Sequence, residues 1–370
     1  MLRYHTVLPA NTKSSYSEYD SVDFELTFDQ RQLVPNSIRI ESDLDVNSDN
    51  ATPQRTSITA PSNIYIDPKI GAHSFISSIT TELQQAGVIE NFQEYPRYVR
   101  MMTEATMAEN DTFNSENVCE LRSPSLKVSN AIIAGQTDGQ TGTTARQQSA
   151  DFSIKPKFCL NTLSGPLSFT KSGAVRITIK LSRYFASLFG GSMTDNHNYQ
   201  LSNLRLCFMT MPDVSAKAKV MMRTKLNIKQ SITSNFANVS TKVPAVCNAV
   251  SCSVQRQSKE NSQYSNNVET EVLPNVSELQ FLFNDSQNEY ITYQIKDREE
   301  LLRRYIQSFA ETGSNSASIN RLRANQGWGL GLPFRDFIDL SNQKFNVQLT
   351  CDVSSGPYIL YMYFHSTSQL

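Results

Sequence analysis

The sequence predicts an all-β fold with a few short helices, built as two β-sandwiches in tandem. Two observations support this. Apolar and polar residues alternate along several segments, and the 370-residue chain repeats one arrangement of segments in both halves. Each half begins with strands, passes through long polar loops, includes a helix and ends in a very apolar strand. Segments of one period, joined by polar connections, are typical of sandwiches.

Strands are predicted wherever side chains alternate with a period of two. In residues 22–29, Val22, Phe24, Leu26 and Phe28 share one face, and the residues between them are polar. Further strands are predicted in SIRIESDLDV (37–46), NIYIDP (63–68), AVRITIKLS (174–182), NLRLCFMTM (203–211) and KFNVQLTCDV (344–353).

Seven consecutive residues near the C-terminus, Tyr358–Phe364, are aromatic or aliphatic. The run is too short to span a bilayer, which needs about 20 residues. Because it has no polar face, it is expected to be a strand covered on both sides. The turn sequence SSGP (354–357) precedes it, which predicts a hairpin with the strand at 344–353. Residues Ser366–Leu370 are expected to be dispensable.

Helices are expected to be few. Ser74–Gln85 places apolar residues four apart and stops at Gly87, which predicts a helix. Asp297–Glu311 is the clearest helix, with a capping-box pattern at its start and Glu–Arg pairs four residues apart. SRYFASLFGG (182–191) is a short helix or turn.

Domain boundaries follow from the composition along the chain. The predicted divisions are an N-terminal arm at 1–15, a first sandwich at 16–211, a linker at 212–223 and a second sandwich at 224–370. The polar tracts are expected to be surface loops, and they lie at 47–63, 134–150 and 255–270.

Charge and cysteine usage restrict the class of protein. The chain has 34 basic and 35 acidic residues and no basic arm, so direct, sequence-specific nucleic-acid binding is not expected. The six cysteines are scattered, mostly in apolar runs, which is typical of reduced core cysteines. The N-terminal residues contain no secretory pattern, so a soluble intracellular product is expected.

The sequence predicts no catalytic, cofactor-binding or metal-binding residues, and no enzyme. The histidines lie far apart, without metal-ligand spacing: His5, His73, His197 and His365. Cys247 and Cys252 lack the second pair that a zinc site needs, so they are expected on or beside a strand. Glu41, Asp43 and Asp45 share one strand face; a cation could bridge two of them, but a solvated face is the favoured interpretation.

The sequence resembles the double jelly-roll major capsid proteins of the tectivirus–adenovirus lineage, in the compact form of polinton-like viruses and adintoviruses. The resemblance lies in the residue sequences of the predicted strands and in their order, from about Tyr16 to His365. The segments that carry it are SVDFELTFDQRQLVPNSIRIESDLDV, IDPKIGAHSFISSITTEL, YQLSNLRLCFMTMPD and LPFRDFIDLSNQKFNVQLTCDVSSGPYILYMYFHS.

The resemblance implies two eight-stranded jelly rolls and a self-assembling homotrimer that imitates a hexagon and tiles the icosahedral shell of a DNA virus. It implies neighbouring capsomers, penton and minor or cement capsid proteins as partners, often with an internal membrane, and a place in the virion capsid after assembly inside the host cell. Two alternatives remain: a vertex (penton) or receptor-binding spike protein, and a β-sandwich carbohydrate-binding or carbohydrate-active protein.

Overall fold

A computed structural model of the chain describes most of its length. The described residues are 1–47, 64–67, 69–106, 119–122, 149–187, 189–190, 198–213, 219–243, 246–260, 262, 266–268, 278–283, 298–310, 329–341 and 344–370.

Strands form most of the described structure. In chain order they are β1 (Arg3–Val7), β2 (Ser15–Tyr16), β3 (Ser21–Leu26), β4 (Arg31–Leu33), β5 (Arg39–Asn47), β6 (Ile64–Tyr65), β7 (Ile76–Leu83), β8 (Gly87–Phe92), β9 (Ser149–Ile154), β10 (Leu167–Ser168), β11 (Val175–Leu181), β12 (Phe189–Gly190), β13 (Asn198–Pro212), β14 (Met221–Ile232), β15 (Phe236–Lys242), β16 (Val246–Arg256), β17 (Glu278–Phe283), β18 (Leu330–Asp339), β19 (Lys344–Thr350) and β20 (Tyr358–Gln369).

Four α-helices and three 3-10 turns accompany the strands in the described residues. The helices are α1 (Tyr95–Thr106), α2 (Phe169–Ser172), α3 (Tyr184–Ser187) and α4 (Arg298–Ala310), and the turns are Gly71–Phe75, Cys159–Thr162 and Gln257–Lys259. Within these residues, each helix is too short or too polar to cross a lipid bilayer.

The main strands of the first half form two sheets, and β6 and β12 pair as a separate two-stranded sheet. β1 and β2 lie end to end along one side of β13, and β4 and β5 lie end to end along its other side. β10 and β9 continue the sheet beyond them. We count β1 with β2, β4 with β5, and β9 with β10 as one interrupted strand each, and leave out β6 and β12. This half then has eight main strands, numbered 1 to 8 in chain order, and the first sheet has the order 1-8-3-6. The second sheet, β3-β11-β7-β8, has the order 2-7-4-5. This alternation between two sheets is the jelly roll.

The second half repeats the same order. Its first sheet is β14-β20-β16-β18, which is again 1-8-3-6. Its second sheet is β15-β19-β17, which matches positions 2, 7 and 4. None of the described strands takes position 5. The predicted double jelly roll is therefore confirmed. The predicted domain boundaries stay predictions; β1, in the predicted N-terminal arm, pairs with β13.

The alternating segments bury the predicted faces. Phe24 on β3 lies opposite Ile177 on β11, and both are almost completely buried inside the first sandwich. Burying a side chain of this size stabilises the fold by about 1.5–3 kcal/mol. Phe345 on β19 has the same role in the second sandwich, where its ring lies 5.2 Å from that of Phe364 on β20.

The helix predicted at Ser74–Gln85 is wrong. After the 3-10 turn the chain forms β7, which pairs with β11 and β8. Ile79, Thr81 and Leu83 are buried with a period of two. The segment is rich in β-branched residues, which fit a pleated sheet better than a helix. The fourfold spacing of three apolar residues fits both periods.

The last two strands do not form the predicted hairpin. β19 pairs with β15 and β17, whereas β20 pairs with β14 and β16 in the other sheet. The SSGP turn thus carries the chain from one sheet to the other. The prediction that Tyr358–Phe364 is covered on both faces is confirmed, because all seven residues are buried and β20 is an inner strand.

Candidate functional site

The two halves meet along a continuous buried contact, which we call the seam. β8, α1 and the turn Cys159–Thr162 of the first half face β14, β20 and α4 of the second half. The outer face of the β14-β20-β16-β18 sheet supplies much of this contact. The seam holds the two sandwiches together.

Aromatic residues of β20 pack against α1. The Arg97 guanidinium lies 4.2 Å from the centroid of the Tyr361 ring, a cation–π contact. The Tyr363 hydroxyl donates a hydrogen bond of 2.8 Å to the Glu94 carbonyl, and its ring lies 5.4 Å from that of Tyr98. Tyr98, Tyr361 and Tyr363 are at most 1% exposed. The first half therefore covers one face of β20.

The open edge of β14 is also covered by the first half. The Arg223 amide donates to the Thr162 hydroxyl at 2.9 Å, and that hydroxyl donates to the Arg223 carbonyl at 3.1 Å. The Met221 amide donates to the Ser164 hydroxyl, and the Ser164 amide donates to the Met221 carbonyl. An unpaired strand edge is a site for unwanted association. Here the chain closes that edge with its own residues.

Glu90 joins the two halves through backbone amides. Its carboxylate accepts from the Lys225 amide at 2.9 Å and from the Cys159 amide at 2.7 Å. Burial raises the pKa of Glu90 and lowers the pKa of Lys225, because it disfavours both charged forms. The Lys225 ammonium lies 5.8 Å from the Phe92 ring centroid and 5.7 Å from that of Tyr98.

A buried ion network lies at one end of α1. Arg100 donates to both carboxylate oxygens of Asp67, at 2.6 and 2.5 Å, and to Glu104 at 3.0 Å. Lys69 pairs with Glu104 at 2.5 Å. Burial alone would raise the pKa of Asp67, but the Arg100 charge and the Asn266 amide lower it. Asn266, from the second half, donates to Asp67 at 2.6 Å.

Ser251, Ser308 and His365 form a buried polar cluster beneath α4. The Ser251 hydroxyl lies 2.8 Å from His365 Nε2 and 2.9 Å from the Ser308 hydroxyl. A serine and a histidine at this distance can form a nucleophile–base pair. All three residues are at most 4% exposed, however. Burial, followed by the charges of Lys225 and Arg223, lowers the pKa of His365 to about 3. We therefore interpret the cluster as packing between sheet and helix.

The carboxylates of the possible cation site have protein partners. Glu41 accepts from Arg205 at 2.8 Å, and Asp43 accepts from Asn203 at 2.5 Å; both partners lie on β13. Burial would raise the pKa of Glu41, but the hydrogen bond from Arg205 lowers it. Asp45 is buried. Within the described ranges, no group of three or more His, Cys, Asp or Glu residues could hold a metal ion.

Of the histidines in the described residues, His73 and His365 are buried and His5 is partly buried. The His73 Nδ1 atom lies 2.7 Å from the Tyr95 hydroxyl, and burial lowers the pKa of His73 to about 4. His5, on β1, lies with its Nε2 atom 2.8 Å from the Thr210 hydroxyl. His197 is outside the described residues.

The cysteines are free thiols, and five of the six are buried. Cys247 and Cys252 lie on β16, as predicted. Burial raises the pKa of both thiols: to about 12 for Cys247 and further for Cys252.

Sequence reasoning missed α1 and therefore the seam. The helix has a detectable signal, because Tyr95, Tyr98, Val99 and Met102 follow the i, i+3, i+4, i+7 spacing. Pro96 at its start is also typical of a first helical turn. The buried Asp67–Arg100 pair has no such signal, because its partners are 33 residues apart in sequence.

One apolar surface remains exposed on the first half. β1 is the outermost strand of its sheet, and Tyr4 lies opposite Met209 on β13. We call this surface the β1 patch. Its residues are Met1, Leu2, Tyr4, Leu8 and Met209. Contiguous exposed apolar residues mark interaction surfaces in soluble proteins.

No protein-family model and no curated protein sequence matches the chain. Solved structures do match it in fold. The chain is similar to the Faustovirus major capsid protein, with a TM-score of 0.62 and 10% identity, covering 100% of this chain and 90% of that one. It is also similar to the PBCV-1 virus capsid model, with a TM-score of 0.61, 8% identity and coverage of 100% and 94%. The chain is also similar to the mavirus major capsid protein, with a TM-score of 0.51 and 8% identity, covering 98% of this chain and 86% of that one. These likenesses establish the double jelly-roll fold.

Proposed function

We propose that this double jelly-roll chain is a structural major capsid protein of a non-enveloped icosahedral DNA virus. It assembles as a homotrimer, whose six jelly rolls form a pseudo-hexagonal capsomer that tiles the shell. The observation that carries this proposal is the repetition of the strand order 1-8-3-6 in both halves of one chain, joined by a buried seam. The similar solved structures are described as capsids or major capsid proteins, and the likeness extends over the whole chain.

The seam supports a shell role because it makes the two sandwiches one unit. A shell subunit must keep its shape under contact with its neighbours, and the buried rings and the Asn266–Asp67 hydrogen bond supply contacts between the halves. The side chains that could form a catalytic pair or a cation site support a non-enzymatic role. The Ser251–His365 pair is buried under a helix, and Glu41 and Asp43 are engaged by β13.

The partners follow from the proposed assembly. They are two further copies in the capsomer, neighbouring capsomers, and penton and minor or cement capsid proteins. The location is the virion capsid, after assembly inside the host cell. The net charge of −1 fits a shell that encloses its genome without gripping it through this chain, with or without a membrane between them.

The oligomeric state tests the proposal. Size-exclusion chromatography with light scattering should give a mass near three times the 41.6 kDa of the chain. Electron microscopy of the assembled product should then show pseudo-hexagonal capsomers. A pentamer would favour a vertex protein instead, and a stable monomer that binds glycans would favour a carbohydrate-binding protein.

A further inference from the structure

A half-enclosed cavity of about 520 Å³ lies where one end of the first sandwich meets the end of β20. The first half supplies β10, α2 and the turn between β7 and β8, and the second half supplies Val220 and the last residues of the chain. The Gln85 amide donates to the Ser172 carbonyl at 3.2 Å, and Val220 and Leu370 exchange two backbone hydrogen bonds. Backbone contacts therefore fix both walls. The volume is within the usual range for small-molecule sites.

The interior of this cavity is apolar. Leu83, Leu167 and Val220 line it and are at most 5% exposed. Met211 and Leu370 line it as well and are partly buried. These side chains come from both halves of the chain. Removing their surface from water favours the binding of a hydrocarbon.

The buried polar side chains of the lining are hydrogen-bonded within the protein. The Gln32 amide donates to the Asp213 carboxylate at 2.8 Å, and the Ser168 hydroxyl donates to the same carboxylate. The Ser172 hydroxyl donates to the Ser168 carbonyl at 3.0 Å. A buried donor without a partner would require one from the ligand. Because these donors are already paired, the interior suits a hydrocarbon chain better than a polar molecule.

Lys171 is the one charged side chain among the described residues that line the cavity. It is exposed, and it forms no ion pair with another described residue. The Asp213 carboxylate, which Gln32 and Ser168 hold, is not part of the lining. The charge at the mouth of the cavity is therefore positive and suits a single anionic group.

We propose that this cavity binds a free, single-chain fatty acid, with its hydrocarbon tail between the two halves and its carboxylate at Lys171. The proposal goes beyond the proposed function, because it requires only the fold of one chain. The tail contacts Leu83 and Leu167 of the first half and Val220 of the second. A ligand that binds this way stabilises the folded chain, because the unfolded chain has no such cavity.

A chain-length series tests the apolar interior. The full chain is titrated by calorimetry with sodium octanoate and sodium decanoate, both below the concentrations at which they form micelles. We expect one molecule per chain, with decanoate binding about fifteenfold more tightly, because each buried methylene group contributes about fourfold. Absence of binding, or equal affinity for the two acids, would overturn the proposal.

The position of the carboxylate is tested with Lys171→Gln. Decanol is the uncharged ligand for comparison. We expect the preference for decanoate over decanol to fall about twofold to fivefold in this variant, which is the usual size of an exposed ion pair. Lys180→Gln is the matched control, because Lys180 is exposed at the other end of β11 from Val175, which pairs with Leu83. It should keep the preference. If Lys171→Gln also keeps it, the carboxylate lies elsewhere, and the proposal is wrong.

The location of the tail is tested in two ways. Ala86→Trp places a large ring in the exposed part of the lining and should weaken decanoate binding at least tenfold, with an unchanged circular dichroism spectrum. Val88→Trp is the control, because Val88 is 60% exposed and does not line the cavity. In the unmodified chain, a decanoate with a diazirine at its end should label residues 83–86, 166–172, 211, 220 or 369–370 after irradiation. Labelling confined to other residues would refute the site.

A vesicle assay separates a free fatty acid from a membrane lipid as the ligand. The full chain is sedimented with phosphatidylglycerol vesicles, and the same preparation is titrated with decanoate. We expect decanoate to bind and the chain to stay in the supernatant. Sedimentation with vesicles in the absence of decanoate binding would mean contact with a membrane surface and would overturn the fatty-acid site.

Discussion

At the scale of single residues, Tyr98 is the centre of the seam. Its ring lies 5.1 Å from that of Phe92 and between 5.4 and 5.9 Å from those of Tyr363, His365 and Phe309. Phe92 belongs to the first half and the other three to the second. One side chain on a helix therefore contacts two elements of the other sandwich, β20 and α4.

Tyr98→Ala should destabilise the chain strongly. Removing a ring from a closely packed site leaves a cavity, at a cost of about 3–5 kcal/mol. Tyr98→Phe is the control, since it keeps the ring, and should cost about 1 kcal/mol or less. Guanidinium unfolding followed by circular dichroism measures both. Equal losses in the two variants would mean that the ring contacts do not hold the seam.

Acid should weaken the fold through His365. Its pKa is lowered to about 3 by burial, whereas an unfolded histidine titrates near 6.5. Between these values only the unfolded chain binds the proton. The contribution of His365 to the free energy of unfolding is therefore constant above about pH 6.5. Below that pH it falls by at most about 1.4 kcal/mol per pH unit.

His365→Gln should reduce that slope. Unfolding free energies measured at pH 7, 5.5 and 4.5 should fall less steeply in the variant than in the unmodified chain. His5→Gln is the control; burial also lowers the pKa of His5, but its ring is only partly buried. A slope unchanged in His365→Gln would show that His365 is not the group responsible.

At the scale of elements, the sequence predicts the strands that alternate or are uniformly apolar, and it errs at β7. β3 and β11 alternate clearly because their outer residues reach water. In and just before β7, Phe75, Ile79 and Leu83 lie four residues apart, a spacing that fits both a helix and a strand. The pairing of β20 could not be predicted either. A turn sequence announces a reversal of the chain but does not say whether the next strand joins the same sheet.

The end of β20 is integral to the sheet, contrary to the expectation that Ser366–Leu370 is dispensable. Thr367 and Ser368 pair with β14, and Leu370 exchanges two backbone hydrogen bonds with Val220. The Ser366 hydroxyl donates to the Val246 carbonyl at 2.6 Å. Deleting these five residues removes the partner of the first third of β14.

That deletion should therefore lower the free energy of unfolding by roughly 3 kcal/mol or more, because several backbone hydrogen bonds worth about 0.5–1.5 kcal/mol each are lost. Gln369→Ala is the control. Its side chain is exposed and its backbone stays paired, so the change should be about 0.5 kcal/mol or less. Thermal unfolding of the two variants compares them. A deletion as stable as the control would restore the original expectation.

At the scale of the whole molecule, the sequence carries the repeat but not the contact between its two units. The duplicated run of strands predicts two sandwiches, and the fold agrees. The seam depends on partners far apart in sequence, such as Asp67 with Asn266 and Glu90 with Lys225. No local pattern marks such residues, and buried charges look like surface charges until the fold brings their partners together.

The seam makes a last prediction about the molecule as a unit. A protease site placed in residues 214–218, between the halves, should allow the chain to be cut without separating them. The buried rings and the Asn266–Asp67 hydrogen bond resemble a permanent interface more than a transient one.

The cut chain should elute at the mass of the uncut chain in size-exclusion chromatography, although a denaturing gel shows two fragments. Tyr98→Ala with the same cut is the matched variant. It should release the halves at a lower denaturant concentration, because it lacks the ring at the centre of the seam. Separation of the unmodified, cut chain in native buffer would mean that the linker, and not the seam, keeps the two sandwiches together.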